Sequence, residues 1–499
     1  MRVLIIILVT AAIVSAIAGI RLTPCCKYVM LVCAVLLTVL QTPASAEDVY
    51  RLSNNKLCVR ISAKGYLLSV ENRTASERYD FESDGFALKT DLGTFTSSGA
   101  ADITVRSNKR RIIFRYKYDG PKQSGIILEM TYNLEPSNGF FRRALRVAND
   151  KPLRVENLRM GKTIFASLPD ETIHYLTFWM SPTVEFIRFA RGGLFTGIEN
   201  PFYRADLDVN GVALSFEPGL ILKSGEGYES EPQFIGVYKR SGVMIEDSGR
   251  PFRYPNGSGY IPIDRNECRA MRAYALDYLA PEQDRFLNIN YQFFHPLPQM
   301  VFSDADMLWH TKAIDTFSDI NGDMIIFNPL YPYKKPTESR PYWDLISDDP
   351  ASPSYQVVDY ARNKNISYGF YMGCAKHGDE GNAAGLPFVP ERLEWKKMDA
   401  HGNRASDNCI GCDDFYDWWF RVQDNTIKKY ALGNWSWDPS RGTAMNCYDE
   451  LHGHIAGKGA YKGWRRCMEL GKRLKESNPG LFIQAFYGTK QFGLWGLKD

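Results

Sequence analysis

From Val49 to about Leu279, apolar and polar residues alternate in short runs divided by turn residues. The clearest run sets Ile113, Arg115 and Lys117 against Phe114, Tyr116 and Tyr118, the period of two that gives each face of a strand its own row of side chains. Similar runs cover Leu57–Ile61, Tyr66–Val70, Ile126–Leu134, Phe141–Val147, Val212–Phe216, Gln233–Tyr238 and Arg272–Leu279. Several are bounded by Ser-Asn-Lys, Asp-Gly-Pro or Pro-Ser-Asn-Gly, which favour turns. A pattern sustained over this length predicts a large antiparallel β-sandwich, with no helix interrupting it.

Near Asp284 the pattern changes to strands alternating with helices. Strands are expected at Phe286–Phe294, Met324–Phe327, Ile366–Met372, Leu432–Trp437 and Leu481–Phe486. Helices are expected at Asp304–Phe317, Tyr355–Asn363, Phe415–Tyr430 and Ala460–Glu476. Roughly five βα units of this kind build a parallel sheet or part of a (β/α)8 barrel. No Gly-rich phosphate loop follows a strand, and the strand ends are polar and aromatic, so the barrel is preferred to a doubly wound sheet. The fold class is therefore multidomain, β then α/β: an N-terminal antiparallel β-sandwich followed by an incomplete (β/α)8 TIM-type barrel. The expected divisions are residues 1–46 (targeting), 47–282 (sandwich) and 283–499 (partial barrel).

The first 46 residues read as an address rather than as fold. Val3–Ile20 is an uninterrupted apolar run, long enough for a marginal membrane span. Lys27 opens a second segment with signal-peptide anatomy, in which the apolar run Val29–Leu40 ends in Ala44-Ser45-Ala46 before Glu47. Cleavage after Ala46 and an extracytoplasmic location, secreted or periplasmic, are expected, with membrane contact only through the N-terminal segment.

With 499 residues the chain has ample core for two domains, and 44% apolar with 23% charged residues is ordinary for a globular protein. A net charge of +3 and the lack of a dense basic tract argue against nucleic acid as a partner. The 13% aromatic content suits either core packing or a cleft whose rings stack on sugars. Beyond the targeting region lie seven cysteines: Cys58, Cys268, Cys374, Cys409, Cys412, Cys447 and Cys467. Cys409 and Cys412 form a CxxC, but no second CxxC accompanies it, so buried or loop-bridging cysteines are expected rather than a zinc site, and no cofactor is expected.

The segment that points to chemistry is Gly433-Asn434-Trp435-Ser436-Trp437-Asp438-Pro439-Ser440-Arg441. A short aromatic strand delivers Asp438 to its C-terminal end, the catalytic face of a barrel. Retaining glycoside hydrolysis needs one carboxylate to attack the anomeric carbon and another, about 5–5.5 Å away, to protonate the leaving oxygen. Asp438 fits the first role; Asp followed by Pro equally suits a helix start. Other strand ends offer sugar contacts by position: Asn328 and Tyr331, Tyr371 and Lys376, Arg441 and Tyr487, together with Trp435 and Trp437. Asp413, Asp414, Asp449 and Glu450 read as loop carboxylates.

A sandwich followed by a barrel whose fourth strand ends in Trp-x-Trp-Asp resembles the α-galactosidase-like retaining glycoside hydrolases, in which that strand ends in Lys-Trp-Asp or Lys-Tyr-Asp. The resemblance implies that Asp438 is the nucleophile and Trp437 the aromatic preceding it. Where the family places a sugar-contacting lysine this chain has Ser436, and Asn328 and Pro329 stand where the family grips galactose with paired aspartates. The family's Cys/Gly-rich signature after the fifth strand is replaced by Phe486-Tyr487-Gly488. The family's acid/base follows the sixth strand, so it is expected on sequence beyond Asp499, this chain being a front portion. The implied activity is hydrolysis of O-glycosidic bonds in an oligo- or polysaccharide or glycoside. The alternative is a non-catalytic carbohydrate-binding protein that has lost the acid/base.

Overall fold

In the computed structural model the residues described are 49–176, 182–245, 263–279, 290–294, 304–321, 324–328, 353–373, 392–438 and 444–485. The targeting region therefore lies outside the described residues, as do Tyr331, Lys376, Arg441 and Tyr487. Among the described residues, no helix is long and apolar enough to cross a membrane.

The N-terminal part is built from two large antiparallel sheets. In the first, the long strand Leu153–Phe165 is central, pairing with Glu77–Ser83, Ala87–Thr90, Gly211–Phe216 and Leu220–Leu222. The second runs from Glu171–Leu176 through Pro182–Arg188, Gly192–Ile198, Gln233–Lys239, Phe140–Asn149, Ile126–Asn133 and Arg111–Lys117 to Asp102–Ser107. The period-two pattern is realised directly: in Arg111–Lys117, Ile112, Phe114 and Tyr116 are buried while Arg111 and Lys117 face solvent. Apolar residues of both sheets form one core, each large side chain contributing about 1.5–3 kcal/mol.

That core also holds an ion pair. Arg143 on the second sheet forks onto Asp84, which follows the strand Glu77–Ser83 of the first, at 2.6 and 3.0 Å, both side chains wholly buried. Its Nε donates to Gln233 at 2.8 Å, and Asp84 also accepts from Thr163 Oγ1 and the Leu67 amide. With its donors and acceptors thus engaged, the pair fixes how the two sheets meet.

The expected strand Arg272–Leu279 is instead helical. Helix α1 (Arg265–Arg272) passes into a π-helical turn at Ala273–Leu279. Asp264 caps α1 through the Asn266 amide while Glu267 reaches back to the Asp264 amide, a reciprocal pair that favours helix over strand. Glu267 is also held by Arg188, at 2.7 Å through both oxygens, and by Tyr238 Oη. The apparent alternation of residues 272–279 is overridden by the helix that runs into it.

The second half carries five parallel strands, β1 (Asn290–Phe294), β2 (Met324–Asn328), β3 (Ser367–Gly373), β4 (Asn434–Asp438) and β5 (Phe482–Ala485). They lie side by side in chain order, the order of a singly wound sheet, without the reversal of a doubly wound one. Helices α2 (Asp304–Asp319), α3 (Pro353–Asn363), α4 (Asp413–Lys429) and α5 (Ala460–Ser477) connect them. In α4 the residues Phe415, Trp419, Gln423 and Ile427 recur every four positions and are buried. Its first turn carries Asp413 and Asp414 and its last Lys428 and Lys429, complementing the helix dipole.

Helix α5 serves both halves. Tyr461 and Trp464 belong to the sandwich core, and Cys467, Leu470 and Leu474 to the core behind the parallel sheet.

Candidate functional site

Strand β4 is seated by an asparagine and two glycines. Asn434 is buried and its amide donates to the Ser367 carbonyl of β3 at 3.0 Å. A Cβ at Gly369 would stand 1.7 Å from Asn434 Oδ1 and 2.1 Å from the Asn434 carbonyl oxygen, so that position requires the bare backbone, while one at Gly433 would meet the Ser367 hydroxyl at 2.4 Å. From there the ladder runs to the strand ends, pairing Tyr371 with Ser436 and Gly373 with Asp438.

Asp438 is the last residue of β4 and Asn328 the last of β2, where it pairs with Phe294. Tyr371 lies two residues before the end of β3. Three of the residues singled out from sequence thus come to the C-terminal edge of one sheet.

Trp435 is corrected by the structure. It is wholly buried in the core between sheet and helices, and its indole N–H donates to Gln423 Oε1 of α4 at 2.8 Å. Its ring is packed against protein and has no face for a sugar. Three of the four carboxylates read as loop residues, Asp413, Asp449 and Glu450, are also engaged. Asp413 pairs with Arg466 and with Lys462, Glu450 pairs bidentately with Arg154 of the sandwich, and Asp449 is buried, paired with Arg404 and accepting from the Leu451 amide. Burial works against the Asp413 carboxylate, but Lys462 and Arg466 outweigh it and hold the group below the usual carboxylate range.

A second constellation was not singled out as a set by the sequence. Cys409, just before α4, meets Cys447, His452 and His454 from the β4–α5 loop; all four are buried, with their ligand atoms within 4.8 Å of one another. Cys409 Sγ lies 3.4 Å from His454 Nε2, and Cys447 Sγ lies 3.4 Å from His452 Nδ1. Hydrogen bonding from Cys409, then from His452 and His454, holds the Cys447 thiol well below its ordinary range. The signal in the sequence is a Cys-x4-His-x-His run placed after a distant CxxC.

No family model matches the sequence, and no curated protein matches it. Solved structures do. An α-galactosidase from Lactobacillus brevis superposes with a TM-score of 0.60 at 8% identity, covering 91% of this chain and 72% of that one. The chain has the fold of the GH36 α-galactosidases. A variant of GH36 α-galactosidase AgaA from Geobacillus stearothermophilus, in complex with stachyose, superposes with a TM-score of 0.56 at 9% identity, covering 90% of this chain and 74% of that one. A second AgaA variant, in complex with raffinose, gives 0.55 at 9% identity, covering 88% and 72%. The likeness at this identity is one of architecture, and it spans the sandwich and the parallel sheet together.

Proposed function

We propose that the protein is an extracytoplasmic glycoside hydrolase of the retaining α-glycosidase type, with Asp438 as its nucleophile. The observation that carries this reading is the place of Asp438: the last residue of the fourth strand in a sequentially wound parallel sheet, within a fold shared with α-galactosidases. In this reading the five strands and the four helices between them are barrel wall, and the C-terminal edge of the strands is the floor of a sugar cleft. Asp438 attacks the anomeric carbon and the glycosyl-enzyme ester is then hydrolysed by water, with a second carboxyl group alternating as acid and base. Asn328 and Tyr371 frame the site, joined by Tyr331, Lys376, Arg441 and Tyr487. Solved neighbours in complex with stachyose and raffinose support an oligosaccharide as the ligand class. The apolar runs ahead of Glu47 support export.

Hydrolysis of aryl α-glycosides by wild type and Asp438→Asn tests the reading. The variant is expected to lose activity by a factor on the order of 10³ or more, with its unfolding midpoint unchanged. Equal activity in both proteins would remove Asp438 from the mechanism.

One observation favours a second reading, carbohydrate binding without turnover: Ser436 occupies the place of the sugar-contacting lysine in the resembled family. Calorimetric binding of an oligosaccharide with no hydrolysis in either protein would select it.

A further inference from the structure

We propose that Cys409, Cys447, His452 and His454 bind one structural zinc ion, which locks the two loops flanking strand β4 against the sandwich. Two thiolates and two neutral imidazoles form a Cys2His2 set, matched to zinc in softness and in preference for a tetrahedron. With zinc–sulfur bonds of about 2.3 Å and zinc–nitrogen bonds of about 2.0 Å, the sulfur–nitrogen edge of that tetrahedron is about 3.5 Å. Two of the four sulfur–nitrogen distances in this cluster, Cys409 to His454 and Cys447 to His452, are 3.4 Å.

The outer contacts fit ligation as well. His452 directs its other nitrogen, Nε2, at the Glu394 carbonyl at 2.8 Å, and His454 directs Nδ1 at the Ile455 carbonyl at 3.2 Å. Each carbonyl fixes a tautomer that leaves the sulfur-facing nitrogen with a lone pair, as metal-binding histidines require. A disulfide between the two cysteines would account for neither imidazole. The divalent cation with two thiolates is neutral, which a fully buried site demands. Four protein ligands close the shell, so the ion is structural rather than catalytic.

Its place gives it a task. Cys409 stands just before α4, which leads into β4, and the other three ligands lie in the loop that leaves β4. The same loop is bound to the sandwich edge, where His454 bridges Leu220, the Ile455 amide donates to the Gly219 carbonyl at 2.7 Å and the Ile221 amide donates to the Gly453 carbonyl. The ion thus ties three separate stretches of chain beside the strand that ends in Asp438.

The test is metal analysis of the full chain, isolated from its native compartment without chelator. One zinc per chain is expected, falling to background in Cys447→Ser and His454→Ala and retained in Cys467→Ser and Cys412→Ser. Cobalt substitution of the wild type reads the geometry without any variant, through thiolate-to-cobalt charge transfer and the intense visible bands of tetrahedral cobalt. Failure to retain zinc offered in excess, a cobalt spectrum without thiolate charge transfer, or a Cys409–Cys447 disulfide in the isolated protein would each overturn the assignment. So would zinc retained by Cys447→Ser or lost from Cys412→Ser.

Discussion

Trp435 and Asp438 sit three residues apart on one strand and have opposite fates. The sequence marks both as functional because aromatic residues beside an acid suit a sugar site. A strand alternates its faces, however, and Trp435 lies on the one that the helices cover. Its indole N–H is matched to Gln423, so replacing it by Phe removes the donor and leaves a buried amide oxygen unpaired. Trp435→Phe is expected to cost about 1–3 kcal/mol in urea unfolding. Trp435→Ala should cost about 3–5 kcal/mol. Both the position of Asp438 at a strand end and the burial of Phe114 and Tyr116 were legible, because they follow from local periodicity. Which face of β4 meets helices was not, because alternation defines two faces without naming their neighbours.

Among the elements, the strands and helices of the second half appear within a few residues of where the apolar pattern puts them, since each buries one face along its length. Helix α1 is the exception, and its signal was the acidic pair Asp264 and Glu267 rather than any apolar stripe. Burial raises the Asp264 carboxyl, but hydrogen bonds from the amides of Asn266, Ser241 and Gly242 and from the Ser241 hydroxyl outweigh it and hold the group below its ordinary value of 3.8. A carboxyl depressed in the folded state contributes stability that is complete above its unfolded value and is lost as pH falls through the folded one. Asp264→Ala should therefore cost about 0.5–2 kcal/mol at neutral pH. The gap between variant and wild type should narrow as pH is lowered from 5 towards 3, read as urea midpoints across that range.

At the scale of the molecule, α5 is what makes the halves unfold together. Tyr461 bonds Glu231 and, at 3.1 Å, Tyr228, while Trp464 enters the sandwich core. Across the same boundary Arg154 grips Glu450. The wild type should unfold in one transition, with far-UV dichroism and tryptophan fluorescence coincident. Trp464→Ala should lower the midpoint and separate the two signals, because Trp395, Trp418, Trp419 and Trp435 all belong to the second core.

The sequence by itself determined the antiparallel-then-parallel grammar of the chain, the strand that ends in Asp438 and the buried rows of its strands. These are consequences of spacing over a few residues, where sterics and solvent act locally. Tertiary structure alone decided that Cys409 lies beside His454, that α5 belongs to two cores, and that Asp449 and Glu450 answer arginines rather than a substrate. Such meetings join residues dozens to hundreds of positions apart, and they exist only once sheets and helices have packed; no periodicity along the chain encodes them.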